Sequence, residues 1–149
     1  MNVTGTIDAI LNQKSGDVWS VEPDATVYEA VAKMAEKNVG ALVVMEDEIL
    51  VGIISERDYT RKVMLRGKRS RETQVSEIMS THLTTVGPKE SVDHCLQYMT
   101  DKRVRHLPVV DHGKLCGVIS IGDLVKHVIS VQSATLDHLE RYISGGYAN

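Results

Sequence analysis

The chain is poor in aromatic side chains. Of its 149 residues 4% are aromatic, with five Tyr, one Trp and no Phe. Proteins that hold single-stranded nucleic acid stack its bases on aromatic rings, so this composition argues against such a platform. A net charge of −3 gives no general pull toward nucleic acid or an anionic membrane. The longest apolar runs, such as ALVVM at 41–45, are far too short to span a bilayer. The start MNVTGTIDAI has no charged segment followed by an apolar stretch, so no secretory signal is expected. It also lacks the Arg-rich, acid-poor character of an organelle transit peptide. Two cysteines, Cys95 and Cys116, cannot make a disulfide framework. Each falls on an apolar position, so buried free thiols in a reducing, cytoplasmic compartment are expected. Neither a Walker loop nor G-x-G-x-x-G is present. His82, His94, His106, His112, His127 and His138 show no zinc spacing, and no Ser/His/Asp or Cys/His order has local support. No metal and no catalytic activity are therefore expected.

What the chain does have is an internal repeat. Shifted by 65 positions it lands on itself: Pro23 meets Pro88, and Val21/Val86 through Val63/Val128 align without a gap. Met34/Met99, Leu42/Leu107, Val44/Val109, Gly52/Gly117, Ile54/Ile119, Ser55/Ser120 and Asp58/Asp123 are identical pairs. Only two copies fit, so the expectation is a pseudo-two-fold pair with two equivalent clefts and not an open array.

Each copy reads strand, helix, strand, strand, helix, an α/β class. In copy one a strand at 18–21 leads to Thr26 and Glu29, an S/T-x-x-E capping box. Val27, Ala30, Val31, Met34 and Ala35 then make one helical face. Val92, Cys95, Leu96 and Met99 repeat it after Ser91. Apolar runs at 41–45 and 50–54, and at 107–110 and 115–119, flank polar turns and read as hairpins. Ile7, Ile10 and Leu11 match Val75, Ile78 and Met79, so each copy has a short entry helix. The expected boundaries are 1–66 for copy one with its entry helix, 67–74 for a linker and 75–132 for copy two. Residues 133–149 form a C-terminal helix and tail, with a helix over 134–143 that Gly145 and Gly146 are placed to stop.

Two features carry chemistry. Arg57, Arg61, Lys62, Arg66, Lys68, Arg69 and Arg71 crowd one stretch, either a solvated helix face or a phosphate-facing patch. The patch is the basis of an alternative nucleic-acid-binding reading; a purely structural dimerisation module is another alternative. The stronger signal is GIISERD at 52–58, echoed as GVISIGD at 117–123. Ser followed three residues later by an acid can be a helix N-cap and nothing more. An acid there can also accept from vicinal ribose hydroxyls, with glycine allowing close approach to the backbone.

The duplicated unit ending in G-h-h-S-x-x-D resembles the cystathionine-β-synthase (CBS) domain, and two in tandem resemble a Bateman module. GALVVMEDEILVGIISERDYTRKV, RHLPVVDHGKLCGVISIGDLVKHVI and LDHLERYISGGY are similar to small stand-alone CBS-pair proteins of bacteria and their plant organellar relatives. The resemblance implies two packed β-α-β-β-α units and regulatory binding of AMP, ADP or ATP, or in some members NAD or S-adenosylmethionine. It implies a homodimer and a regulated protein partner. It places ribose on Asp58 and Asp123, with Ser55 and Ser120 beside them. Adenine falls against the backbone near Ser20–Val21 and Thr85–Val86. Phosphate falls near Arg103, Arg105 and His106, where copy one has Asn38, Gly40 and Ala41. Copy one instead has Arg57 where copy two has Gly122, so the two clefts are expected to differ at the phosphate end. His106 is expected to add a pH-sensitive charge.

Overall fold

Each repeat is a short sheet with one helix laid across it. The computed structural model describes residues 5–14 and 17–148. In copy one, β1 (Ser20–Val21) runs parallel to β2 (Ala41–Glu46), which pairs antiparallel with β3 (Ile49–Ser55). In copy two, β4 (His106–Asp111) pairs antiparallel with β5 (Lys114–Ser120). The strand expected at 85–86 is reduced to one parallel bridge, Val86 to Val109, the counterpart of Val21 to Val44.

Both hairpins turn on two residues. Asp47 and Glu48 have φ of 49° and 66°, and His112 and Gly113 have 50° and 79°. Two successive positive φ values make the turn whose twist matches that of the flanking strands. Glu46, Asp111 and Lys114 are therefore paired strand residues, beyond the limits the apolar runs suggest. Each hairpin also carries a bulge, between Val44 and Met45 and between Val109 and Val110. The extra residues opposite are Val51 and Cys116. One expectation is corrected: Cys116 is exposed, on the β5 face opposite that of buried Gly117 and Ile119, while Cys95 is fully buried.

The repeated helices are α2 (Val27–Lys37) and α5 (Val92–Lys102). Their inner faces bury Val27, Ala30 and Met34, and Val92, Cys95 and Met99. Thr26 and Ser91 cap them, each accepting from the amide three residues on at 3.1 Å. At Thr26 only this half of the expected box is seen among the described hydrogen bonds. Both helices end on a left-handed residue, Asn38 (φ 55°) and Arg103 (φ 54°).

The entry helices change places. α1 (Ile7–Gln13) precedes copy one in sequence, yet Ile7 and Ile10 sit in the core of copy two with Val92, Leu107 and Ile119. α4 (Val75–Ile78) precedes copy two, yet Val75 and Ile78 sit in the core of copy one with Val27, Leu42 and Ile54. Backbone bonds fix the exchange on both sides. Ile7 N donates to Glu90 O at 3.0 Å and Val92 N to Gly5 O at 3.2 Å; Val27 N donates to Thr73 O and Val75 N to Ala25 O, both at 2.8 Å. The two repeats are thus locked to each other, and chain order does not give the packing units. The stretch 67–74 is no free linker either. It contains a 3₁₀ turn (Ser70–Glu72), and Thr73 is buried.

The last helices are unlike each other. In copy one α3 (Glu56–Tyr59) widens into a π turn (Thr60–Met64), with Leu65 N donating to Thr60 O at 3.0 Å. In copy two α6 is a single helix of 28 residues, Ile121–Ala148. The helix expected over 134–143 is its distal part, and Gly145 and Gly146 lie within it rather than ending it.

Candidate functional site

Both G-h-h-S-x-x-D motifs fold as reciprocal caps. In copy one Ser55 N donates to Asp58 Oδ2 at 2.9 Å, and Asp58 N donates to Ser55 Oγ at 3.2 Å. In copy two Ser120 N donates to Asp123 Oδ2 at 2.9 Å, and Asp123 N donates to Ser120 Oγ at 3.1 Å. The motif glycines have a packing role. A Cβ on Gly52 would stand 2.7 Å from Met79 Sδ, and one on Gly117 would stand 2.8 Å from Leu11 Cδ2. Each glycine admits a side chain from an exchanged entry segment: Leu11 of α1 at Gly117, and Met79, the residue after α4, at Gly52.

Each acid opens onto a cleft, and the clefts are about equal in size, near 430 and 440 Å³. Each is built across the two repeats. The first joins Ser55, Arg57 and Asp58 of copy one to Arg103, Arg105 and His106 of copy two. The second joins Ser120 and Asp123 of copy two to Lys14, Lys37 and Asn38 from the first half of the chain. The segment ahead of the second strand in each copy therefore serves the other copy's acid. In the first cleft Arg57 Nη1 donates to Arg103 O at 3.4 Å, a direct bond between repeats.

The polar ends differ in chemistry. Three guanidinium groups face Glu56 and Asp58 in the first cleft; two ammonium groups face Asp17 and Asp123 in the second. Lys14 Nζ sits 2.8 Å from Asp123 Oδ2 and 2.9 Å from Val118 O. At the matching place in copy one, Ile53 pairs with Ser80 through two backbone bonds of 2.9 and 3.0 Å. Asp58 instead pairs with Lys62 of its own helix, Nζ to Oδ1 at 3.1 Å, and Lys62 also donates to Ile78 O. Burial is the largest influence on Asp123 and pushes its carboxyl up. Hydrogen bonds from Lys14 and from the Ser120 amide, with the Lys14 charge and the Ser120 hydroxyl, together outweigh it, and the group stays below its ordinary value.

His106 and Gly40 line both clefts and form the wall between them. Burial pushes the imidazole below its usual value. Asp123 opposes this, while Lys14 and Arg105 reinforce it. The expected pH-sensitive cation is therefore a neutral ring at neutral pH. A Cβ on Gly40 would lie 3.2 Å from Glu56 Oε1 and 3.6 Å from His106 Nε2, so the wall is thin there.

The first strands meet the clefts slightly earlier than expected. Val18 and Trp19 line the second cleft, and Leu83 and Thr84 line the first. Ser20, Val21, Thr85 and Val86 stand one or two residues further on. Val86 is in the core, and Val21 packs against it in copy one. Trp19 is both core edge and cleft wall, with Lys37 Nζ 4.2 Å from its ring centre. Lys14 and Lys37 were not singled out in the sequence. The signal for Lys14 was the backward extension of the repeat, which sets it opposite His82, itself a wall of the first cleft.

The basic stretch does not act as one surface. Arg57 turns into the first cleft, Lys62 pairs with Asp58, Arg69 with Glu72 at 3.6 Å, and Arg71 stacks 3.9 Å from the Tyr28 ring centre. Among the described residues no group of three or more His, Cys, Asp or Glu could hold a metal, and no helix is long and apolar enough to cross a membrane.

Comparison with known proteins agrees with this fold. The CBS domain family matches residues 11–65 and 75–130. CBS domain-containing protein CBSX3, mitochondrial, of Arabidopsis thaliana is 44% identical over 142 residues, covering 90% of this chain and 68% of that protein. The solved structure of a protein with CBS domains from Burkholderia ambifaria MC40-6 has a TM-score of 0.83 at 46% identity, covering 85% of this chain and 95% of that one. The CBS domain pair of protein MJ0100, solved with 5′-methylthioadenosine and S-adenosyl-L-methionine, has a TM-score of 0.75 at 23% identity, covering 86% and 98%; at that identity the likeness is one of fold. Two family matches, two exchanged repeats and two crossed clefts lead to one conclusion: the chain belongs to the CBS domain family, as a tandem CBS pair.

Proposed function

We propose that this chain is a regulatory module, without catalytic activity, that binds adenosine-containing ligands in its two clefts. AMP, ADP and ATP are the first candidates, with NAD and S-adenosylmethionine behind them. The observation that carries the reading is the crossed construction of each cleft. An acid able to accept from ribose hydroxyls, Asp58 or Asp123, comes from one repeat, and cations stand opposite it, most of them from the other half of the chain. A ligand whose sugar meets one repeat and whose phosphates meet the other binds best in one relative arrangement of the two. Occupancy then shifts that arrangement, and a protein partner reads it.

The first cleft suits the more phosphorylated ligand. Guanidinium groups bind phosphate in a planar fork that ammonium does not reproduce. Arg103 adds a second argument. Its left-handed backbone is easy for Asn38 at the matching place but strained for arginine. A side chain that reaches phosphate gives that strain a use. The second cleft, with Trp19, Lys37 and Lys14, suits a less charged adenosine compound.

A thermal-shift panel of AMP, ADP, ATP, NAD and S-adenosylmethionine tests the reading. A ligand at about 100 times its Kd stabilises the fold by roughly 2.7 kcal/mol, a rise of several degrees in Tm. No shift with any of them at millimolar concentration overturns it.

A further inference from the structure

The two cleft acids carry the same cap but hold different cations. The cap turns Oδ2 of each toward its helix start. Ser55 N donates to Asp58 Oδ2 at 2.9 Å and the Ser55 hydroxyl donates to it at 3.0 Å; Ser120 N donates to Asp123 Oδ2 at 2.9 Å. Oδ1 is therefore the oxygen left for a ligand. In copy one it is already engaged. Lys62 Nζ stands 3.1 Å from Asp58 Oδ1, and its bond to Ile78 O at 2.9 Å holds the ammonium from a second side. Lys62 lies in the π turn, and α6 of copy two runs through the matching place without one. The residue there is His127, whose buried Nε2 has no hydrogen-bond partner among the described residues. Lys14 supplies a cation to Asp123 instead, and it reaches Oδ2, at 2.8 Å. Among the described residues no hydrogen bond or ion pair reaches Asp123 Oδ1. Exposure agrees: the Asp58 side chain is 13% exposed and that of Asp123 is 23% exposed.

We infer that the two clefts read the sugar differently: Asp123 accepts from both hydroxyls of a ribose, Asp58 accepts from one, and Lys62 sets the difference. The inference rests on the reading that adenosine compounds occupy the clefts. A carboxylate oxygen offers two acceptor places. Both are open on Asp123 Oδ1, enough for a vicinal diol. On Asp58 Oδ1 the Lys62 ammonium fills one, so a single hydroxyl is accepted, and either member of the diol can supply it. The second cleft is then specific for ribonucleosides, because loss of either hydroxyl forfeits a hydrogen bond to a charged acceptor. The first cleft takes 2′-deoxy and 3′-deoxyadenosine compounds about as well as the ribose ones. Lys62 does not line that cleft. It is a positioning residue that acts through Asp58. The guanidinium groups of the first cleft can bind phosphate whichever sugar is present, so its tolerance of the sugar is separate from its preference for phosphate.

The test is calorimetric titration of the full chain with AMP, 2′-deoxy-AMP and 3′-deoxy-AMP, with circular dichroism as a control for folding. Fluorescence of Trp19, the one tryptophan of the chain and a wall of the second cleft, assigns that cleft. In the wild type either deoxy compound is expected to bind the second cleft at least about tenfold more weakly than AMP, while the first cleft holds its affinity. Lys62→Met, which keeps the apolar stem, is expected to bring the same loss to the first cleft and to leave the second unchanged. Lys62→Arg, which keeps a donor, is expected to restore the tolerance. A lysine that only braced the fold would change affinity for the three nucleotides alike and leave their ratios as in the wild type. Unchanged ratios in Lys62→Met therefore overturn the inference, as does an equal loss at both clefts of the wild type; in either case the functional reading stands. No binding of any of the three overturns that reading, and this inference with it.

Discussion

Replacing Gly52 or Gly117 with alanine tests the exchanged entry helices from inside the sheet. Alanine in place of glycine in a strand should stabilise by about 0.5–1 kcal/mol if backbone entropy decides. Crowding opposes this. At Gly52 the new methyl would lie 2.7 Å from Met79 Sδ, 3.1 Å from Met79 Cγ and 3.0 Å from the Ser80 carbonyl oxygen. The thioether can turn away, but the carbonyl cannot, because it accepts from Ile53 N at 3.0 Å. At Gly117 the close atom is Leu11 Cδ2 at 2.8 Å, and the nearest others lie at 3.9 and 4.0 Å. Overpacking typically costs about 1–3 kcal/mol. Gly52→Ala is expected near the top of that range and Gly117→Ala near the bottom, each a net loss. For a chain of this length about 2 kcal/mol lowers Tm by roughly 4–8 °C. The assay is urea unfolding of each single variant, of Leu11→Ala, and of Gly117→Ala with Leu11→Ala. Removing Leu11 makes room for the methyl, so the double variant should lose less than the sum of the singles by about 1 kcal/mol. Stabilisation by either alanine, or additivity within about 0.5 kcal/mol, would refute the packing of Leu11 and Met79 against the opposite repeat's strand.

Three other perturbations read separate parts of the molecule. Asp58→Ala and Asp123→Ala each break a formed cap and should each cost about 1 kcal/mol of stability, and each should also weaken nucleotide binding at one cleft. Unchanged affinity by calorimetry in both variants would leave capping as their whole role. His106 is held below its ordinary value by burial, so between that lowered value and about pH 6.5 the unfolded chain binds the extra proton. Its contribution to stability is present above that window and is lost as pH falls through it. His106→Gln should therefore flatten the fall in stability on acidification, and an equally steep curve for both proteins would count against a neutral buried ring. Ellman's reagent should titrate exposed Cys116 at once. Cys95, buried and with its thiol pushed up to about 11, should react only on unfolding; prompt reaction of two thiols would contradict the α5 packing.

The repeat, the two helical stripes and the hairpins were legible because they are short-range patterns. Val27, Ala30 and Met34 keep the helical period, and both hairpins announce themselves as apolar runs around polar turns. The Ser55–Asp58 and Ser120–Asp123 caps were readable in the same way, since all their partners lie within three residues. The entry helices were legible as helices but not in their placement. Ile7 and Ile10 are as apolar as Val75 and Ile78, so burial was predictable while the choice of core was not. That choice also hid which cations serve which acid, because Arg103 and Arg105 of copy two line the cleft of Asp58. Cys116 misled because its run, 115–119, is apolar throughout, while only alternate residues of β5, Gly117 and Ile119, are buried. Gly145 and Gly146 misled because glycine permits a helix end without enforcing one.

Calorimetric titration of the full chain with ATP and with AMP tests the central claim most directly. The account predicts two sites per chain of unequal affinity for ATP. The tighter should be the cleft of Asp58, where Arg57, Arg103 and Arg105 meet, and the inequality should shrink for AMP, which has fewer phosphates to reward three guanidinium groups. Arg105→Ala should weaken the tighter ATP site and leave the other. Two identical, independent sites for both nucleotides, or no heat of binding with either, would contradict it.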